Sequence, residues 1–240
     1  MNRLALLICL VSTSIAVAAD SPADGKAIID RAVQARGGAE KLAKFNTMSW
    51  TDNGTFYGMG NAMPYTATYV AEWPGKYRME IKDFFTTILN GDKGWGIRAD
   101  STDELEKEQL AETQETVFAH WVANLLPLSG QGFSYSLKPE AKIEGKPADV
   151  VVVSHSGHRD VTLYFDKASG QLVKSETMVK VPNEDKPVKE EATYSDYREF
   201  DGVKWPTTIA VMRDGEPYVK ASRSKINPSP KVDAKTFEKP

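Results

Sequence analysis

His155-Ser156-Gly157-His158, with Asp160 just beyond, is the stretch whose residue types come nearest to a metal site. Imidazole and carboxylate groups are ordinary zinc ligands. On an extended strand, side chains three apart point to opposite faces, so these imidazoles converge only if Ser156-Gly157 makes a tight turn. The plain alternative is a polar hairpin loop between the apolar runs 150–153 and 161–165. A metal-dependent hydrolase using His155, His158 and Asp160 is the enzymatic reading that this spacing permits. The third histidine, His120, reads as a partly buried or surface residue. Nucleophilic catalysis finds little support: there is no Gly-x-Ser-x-Gly elbow, and Cys9 is the only cysteine. Asp103, Glu104, Glu106 and Glu108 crowd a short stretch, but such a cluster reads as the solvated start of a helix more than as an acid–base pair. Lys and Arg total 30 against 33 Asp and Glu, a net charge of -3, which offers no basic face for nucleic-acid phosphates. No enzyme activity, cofactor or resident metal is expected.

Aromatic and methionine side chains are the remaining material. Aromatics make up 10% of the chain, including five Trp. Taken singly each reads as core packing; taken together they suit an apolar cavity, and periodicity alone does not separate these readings.

The elements that must position them follow from period. Residues 25–45 carry Ile28, Ile29, Ala32 and Val33 at helical spacing, with Gly37-Gly38 splitting the segment into two short helices. After Asn46 the period falls to two. Met48 and Trp50 share one strand side, and Asp52-Asn53-Gly54 reads as a turn or bulge. Tyr65, Ala67, Tyr69, Ala71 and Trp73 alternate with Thr66, Thr68, Val70 and Glu72. Pro74-Gly75 turns the chain, and Tyr77, Met79 and Ile81 alternate again, giving a hairpin. Residues 86–89 and 95–98 form another. Residues 101–126 read as one long inserted helix, solvated early, with Val117, Phe118, Trp121, Val122, Leu125 and Leu126 apolar late, and stopped by Pro127. Strands are expected at 134–143, 149–154, 161–166, 172–179, 193–200, 205–213 and 218–227, with a charged loop at 181–191. The fold class is mainly β with helices (α+β). A single large antiparallel sheet must curl and be covered by the first helix and the inserted one.

The first residues stand apart. Asn2-Arg3, the apolar run 4–11 and the small residues up to Ala19 describe a secretory signal peptide cleaved after Ala19. That leaves 20–240 as one domain, destined for the periplasm or the exterior.

Residues 35–45 (Ala-Arg-Gly-Gly-Ala-Glu-Lys-Leu-Ala-Lys-Phe), 73–80 (Trp-Pro-Gly-Lys-Tyr-Arg-Met-Glu) and 91–95 (Gly-Asp-Lys-Gly-Trp) resemble, in that order, the periplasmic lipoprotein-sorting proteins, the LolA-like family. Residues 194–206 and the closing Phe237-Glu238-Lys239-Pro240 are similar to members of the same group. The resemblance implies an incomplete antiparallel β-barrel, or half-barrel, whose apolar interior is covered by helices and receives acyl chains. It puts Trp73 to Met79 in a hairpin at the cavity mouth, Trp95 on the sheet, and Phe118, Trp121 and Leu125 on the covering helix. Trp50, Tyr69, Trp73, Tyr77, Met79 and Ile81 are candidate lining residues, as are Trp95, Phe118, Trp121, Leu125 and Phe165. In the family an arginine before the hairpin proline holds the covering helix shut; here that position is Trp73.

The function expected is a non-enzymatic carrier holding the acyl chain of a lipoprotein or lipid, possible use being outer-membrane lipoprotein sorting. The alternative on the same fold is an envelope sensor or interaction module whose partner is a protein of the envelope membranes.

Overall fold

The computed structural model describes residues 22–99, 101–181 and 186–240, so the secretory signal expected in residues 1–19 lies outside the described residues. Helix α1 (Pro22–Arg36) is followed by α2 (Ala39–Ala43) and a 3₁₀ turn (Lys44–Asn46). The break between the helices falls at the glycine pair. Gly37 has φ 135, and a Cβ there would stand 2.4 Å from the Gly202 carbonyl oxygen, so neither the turn nor the contact tolerates a side chain.

Six strands run next: β1 (Thr47–Phe56), β2 (Met63–Glu72), β3 (Lys76–Ile81), β4 (Phe85–Asn90), β5 (Lys93–Arg98) and β6 (Ser101–Glu104). Helix α3 (Lys107–Ala123) separates them from seven more: β7 (Phe133–Ile143), β8 (Lys146–His155), β9 (Val161–Asp166), β10 (Leu172–Val179), β11 (Val188–Phe200), β12 (Val203–Arg213) and β13 (Glu216–Pro228). All thirteen form one antiparallel sheet in the order β6-β5-β4-β3-β2-β1-β13-β12-β11-β10-β9-β8-β7. The chain therefore starts in the middle of the sheet, walks outward by hairpins to one edge, crosses on α3 to the other edge, and walks back until β13 pairs with β1. The two outermost strands, β6 and β7, are not paired with each other, so the sheet is an unclosed barrel.

Three expectations need correction. Asp52-Asn53-Gly54 is not a turn but the middle of β1, where Asp52 pairs with Arg223 and Gly54 with Ala221. Gly54 is needed because a Cβ would come within 2.3 Å of the Lys220 carbonyl oxygen. The inserted helix is shorter than 101–126: residues 101–104 instead pair with β5, and α3 begins after Glu106, whose backbone N–H donates to Gln109 Oε1 at 3.3 Å. Of the charged loop expected at 181–191, residues from Val188 onward belong to β11.

Most of the core lies on the inner face of the sheet. Ile29, Ala32 and Val33 from α1 pack there with Phe45, Leu163, Phe165 and Trp205. The Phe45 and Trp205 rings sit 4.9 Å apart. Each such large side chain contributes about 1.5–3 kcal/mol on burial, which fixes α1 over that half of the sheet. A second, smaller core lies on the outer face, where Phe237 covers Ile88 and Trp95. Among the described residues no helix is long and apolar enough to cross a membrane.

Candidate functional site

Over β1 to β4 and β10 to β13 the inner face is not filled by α1. Between this part of the sheet and α3 a cavity of about 1220 Å³ remains. Its sheet wall is built by period-two alternation. Trp50 and Asp52 on β1, Tyr69 on β2, Tyr77, Met79 and Ile81 on β3, and Val219, Ala221 and Arg223 on β13 all project to the same side. Helix α3 supplies the cover, with Thr116, Ala119, His120 and Ala123 toward the cavity at helical spacing. The rim carries the exposed Lys82, Phe84 and Lys186, whereas Trp50, Trp73 and Tyr77 are buried.

Aromatic rings make up the buried end. Trp50 stacks on Tyr69 with centroids 4.7 Å apart and on Trp73 at 6.2 Å. Tyr77 lies 6.1 Å from Tyr69 and 6.4 Å from the His120 ring. Against this apolar group lies a charged pair. Arg223 donates to Asp52 through Nε to Oδ1 and Nη2 to Oδ2, both at 3.0 Å, and its guanidinium stands 4.9 Å over the Trp50 ring. Burial works against the Arg223 charge, but Asp52 overrides it and raises the pKa above its ordinary value. A second pair, Arg213 with Glu190 at 2.8 Å, lies farther along the same wall, and Arg213 stacks 3.6 Å over Tyr218. Both charges of each pair are thus internally neutralised.

His120 leaves part of its surface open, yet protein surrounds it. Packing of protein around the ring lowers its pKa below the ordinary imidazole value. Burial likewise pushes the phenols of Tyr69 and Tyr77 up, with Asp52 adding to the effect.

Six of the candidate residues line this cavity together: Trp50, Tyr69, Trp73, Tyr77, Met79 and Ile81. Trp73 and Tyr77, expected at the mouth, are buried in its wall, 9% and 5% exposed. The other five are elsewhere. Trp95 pairs with Ile88 and points to the outer face under Phe237, because its register on β5 puts it one step out of phase with the inner side. Phe118 and Trp121 occupy the helix face that packs on Phe133 and the histidine loop, away from the cavity. Leu125, 1% exposed, and Phe165, 0% exposed, belong to the packed core.

His155 and His158 pack against the cover. The His158 ring stacks 3.8 Å from Phe118, and its Nδ1 lies 2.7 Å from Glu115 Oε1. Arg159 donates to Glu115 from its backbone N–H at 2.9 Å and to Glu112 at 2.7 Å, while the Lys180 backbone N–H donates to Glu112 at 2.9 Å. On the opposite side Gln114 Nε2 donates to the Gly91 carbonyl at 3.0 Å. These contacts hold α3 over the cavity. Among the described residues no three His, Cys, Asp or Glu side chains converge as metal ligands.

Sequence reasoning missed Asp52, Arg223, Glu190 and Arg213 as cavity residues. Each sits at an inward strand position where a hydrophobic residue is the default, and only the period-two count through β1, β11, β12 and β13 could have flagged them.

No family model and no curated protein matches the chain. Solved structures do. A LolA superfamily protein from Nitrosomonas europaea is 11% identical, with TM-score 0.59 over 90% of this chain and 97% of that one. A putative outer membrane lipoprotein-sorting protein domain from Vibrio parahaemolyticus is 11% identical, TM-score 0.59, covering 91% and 98%. A DUF1329 family protein from Desulfovibrio piger is 11% identical, TM-score 0.60, covering 89% and 97%. At that identity the likeness is one of architecture, and it agrees with the motif order in the sequence: the unclosed, helix-covered sheet described above is the fold of LolA superfamily structures.

Proposed function

We propose that the chain is a non-enzymatic carrier of the cell envelope that holds the acyl chain of a lipoprotein or lipid between its sheet and α3. The cavity carries this reading. At about 1220 Å³ it exceeds the usual range of small-molecule pockets, about 300–1,000 Å³. Its buried end is lined by stacked aromatics, so an alkyl chain leaving water gains about 0.8 kcal/mol per methylene. For a long acyl chain that is on the order of 10 kcal/mol, enough to extract lipid without chemistry or a cofactor. The fold shared with a structure described as a lipoprotein-sorting domain supports the same assignment. The expected secretory signal supports a place in the periplasm.

The test is binding of the neutral fluorescent probe N-phenyl-1-naphthylamine, with native mass spectrometry of the gently purified chain. Co-purifying lipid and displacement of the probe by a fatty acid are expected. Ala119→Trp, which fills the cavity from α3, should weaken probe binding at least tenfold with little change in melting temperature. No bound lipid together with no probe binding would overturn the reading.

A second reading rests on Met59 and Phe84, which stand 64% and 57% exposed in the β1–β2 and β3–β4 connections, and Phe84 is at the cavity rim. A protein partner docking there would still be captured by delipidated chain.

A further inference from the structure

Hydrocarbon alone does not satisfy the buried end of the cavity. The buried Tyr77, the half-buried Tyr69 and the exposed His120 line its wall, and among the described residues no hydrogen bond joins the two hydroxyls or the imidazole to a protein partner. The three are neighbours in sequence of contact, with ring centroids 6.1 Å from Tyr69 to Tyr77 and 6.4 Å from Tyr77 to His120. An alkyl tail laid over them would remove their water and give nothing back, which is the costly way to bury a polar group. A ligand group that can both donate and accept would satisfy them.

The charge of that group is set by the same wall. Arg223, whose guanidinium lies over the Trp50 ring at this end, is already bonded twice to Asp52. At this end, away from the rim lysines Lys82 and Lys186, an incoming carboxylate or phosphate would find Arg223 already neutralised and would have Asp52 close by. It would lose hydration without a counter-ion. An uncharged hydroxyl, carbonyl or amide meets no such penalty.

Resting on the carrier reading above, we infer that Tyr69, Tyr77 and His120 form a subsite for an uncharged hydrogen-bonding group of the bound lipid, seated beside the Trp50–Tyr69 stack. The ligand class is a neutral lipid with a hydroxyl or carbonyl that enters the aromatic end, as distinct from a free fatty acid carboxylate. Trp50 stacked on Tyr69 gives this group flat apolar walls, so the adjoining part of the lipid is gripped by ring faces while its polar atom meets the phenols.

The test is displacement of N-phenyl-1-naphthylamine by 1-dodecanol and by dodecanoate at pH 8, in the parent chain and in Tyr69→Phe/Tyr77→Phe. The parent should bind 1-dodecanol at least tenfold more tightly than dodecanoate. The double variant should lose most of that preference, the ratio of 1-dodecanol to dodecanoate affinity falling toward one whatever its own affinity for the naphthylamine probe. Equal displacement by the two compounds in the parent, or an unchanged 1-dodecanol affinity in the double variant, would overturn the subsite while leaving the carrier reading standing. Failure of the naphthylamine to bind the parent chain would overturn both.

Discussion

Asp52 and Arg223 face each other across β1 and β13, 171 residues apart in the chain, and together form one of the two charged pairs in the cavity wall. Removing one partner would leave the other buried and unpaired. Asp52→Ala should therefore lower unfolding free energy by about 3–5 kcal/mol in urea titration. Asp52→Leu/Arg223→Met should lose far less, because no charge is left behind. A double variant as unstable as the single one would mean that the pair is a net contributor in its own right. This pair was invisible in the sequence for a physical reason. Asp-Asn-Gly is the commonest composition of a tight turn, and only the partner strand reveals that β1 runs straight through it. The aromatic residues were easier to place: Trp50, Tyr69, Tyr77 and Met79 recur at every second position among mostly polar neighbours, and that period assigns them to one face. Trp95 shows the limit, since its own strand gives no sign of which face is inward once a second core covers the outside.

At the scale of elements, α3 is the informative one. It crosses the cavity and is fastened by the carboxylates of Glu112 and Glu115 to the β8–β9 turn. Burial raises the pKa of Glu115, but hydrogen bonds from Arg159 and His158 outweigh it, and the net shift is downward. A carboxyl whose folded pKa lies below its unfolded value stabilises the fold above the ordinary carboxylate range, near about 4.3, and loses that contribution as pH falls through the lowered value. The group is part-exposed, so screening limits the effect to about 1 kcal/mol. Glu115→Gln should thus be about 1 kcal/mol less stable than the parent at pH 7 and indistinguishable from it near pH 3, by urea titration. A gap that persists in acid would assign the loss to packing. In the sequence α3 was legible from its apolar second half and its proline stop. Its start was not. Asp103 and Glu104 satisfy helix N-terminal preferences as well as those of a short charged edge strand, and pairing with β5 decided between them.

For the whole molecule, the antiparallel class, the hairpin sequence, both covering helices and the single large sheet followed from period and turn residues, because nearly every pairing joins consecutive strands. The one pairing that does not, β1 with β13, is also the one that brings Arg223 to Asp52. Local pattern carries no information about which distant strand returns to the starting one, and half of the cavity wall depended on that.

Leaving a curled sheet open has a consequence for how the protein lives among copies of itself. Each terminal strand presents a row of free amide and carbonyl groups, the template on which chains pair into fibres. Here β6 is only four residues long and ends in Asp103-Glu104. On β7, Lys138, Glu140 and Lys142 flank Pro139, and pairing with β8 slips between Lys138 and Ala141. Brevity, like charge, a missing donor and an irregular register make both margins poor templates. Replacing Pro139 by Val with Glu140 deleted should straighten β7 and shift the chain toward higher-mass species in size-exclusion chromatography with light scattering. An unchanged mass would show that charge alone guards that margin. The gap that admits a guest molecule is thereby kept from becoming a seam for self-assembly.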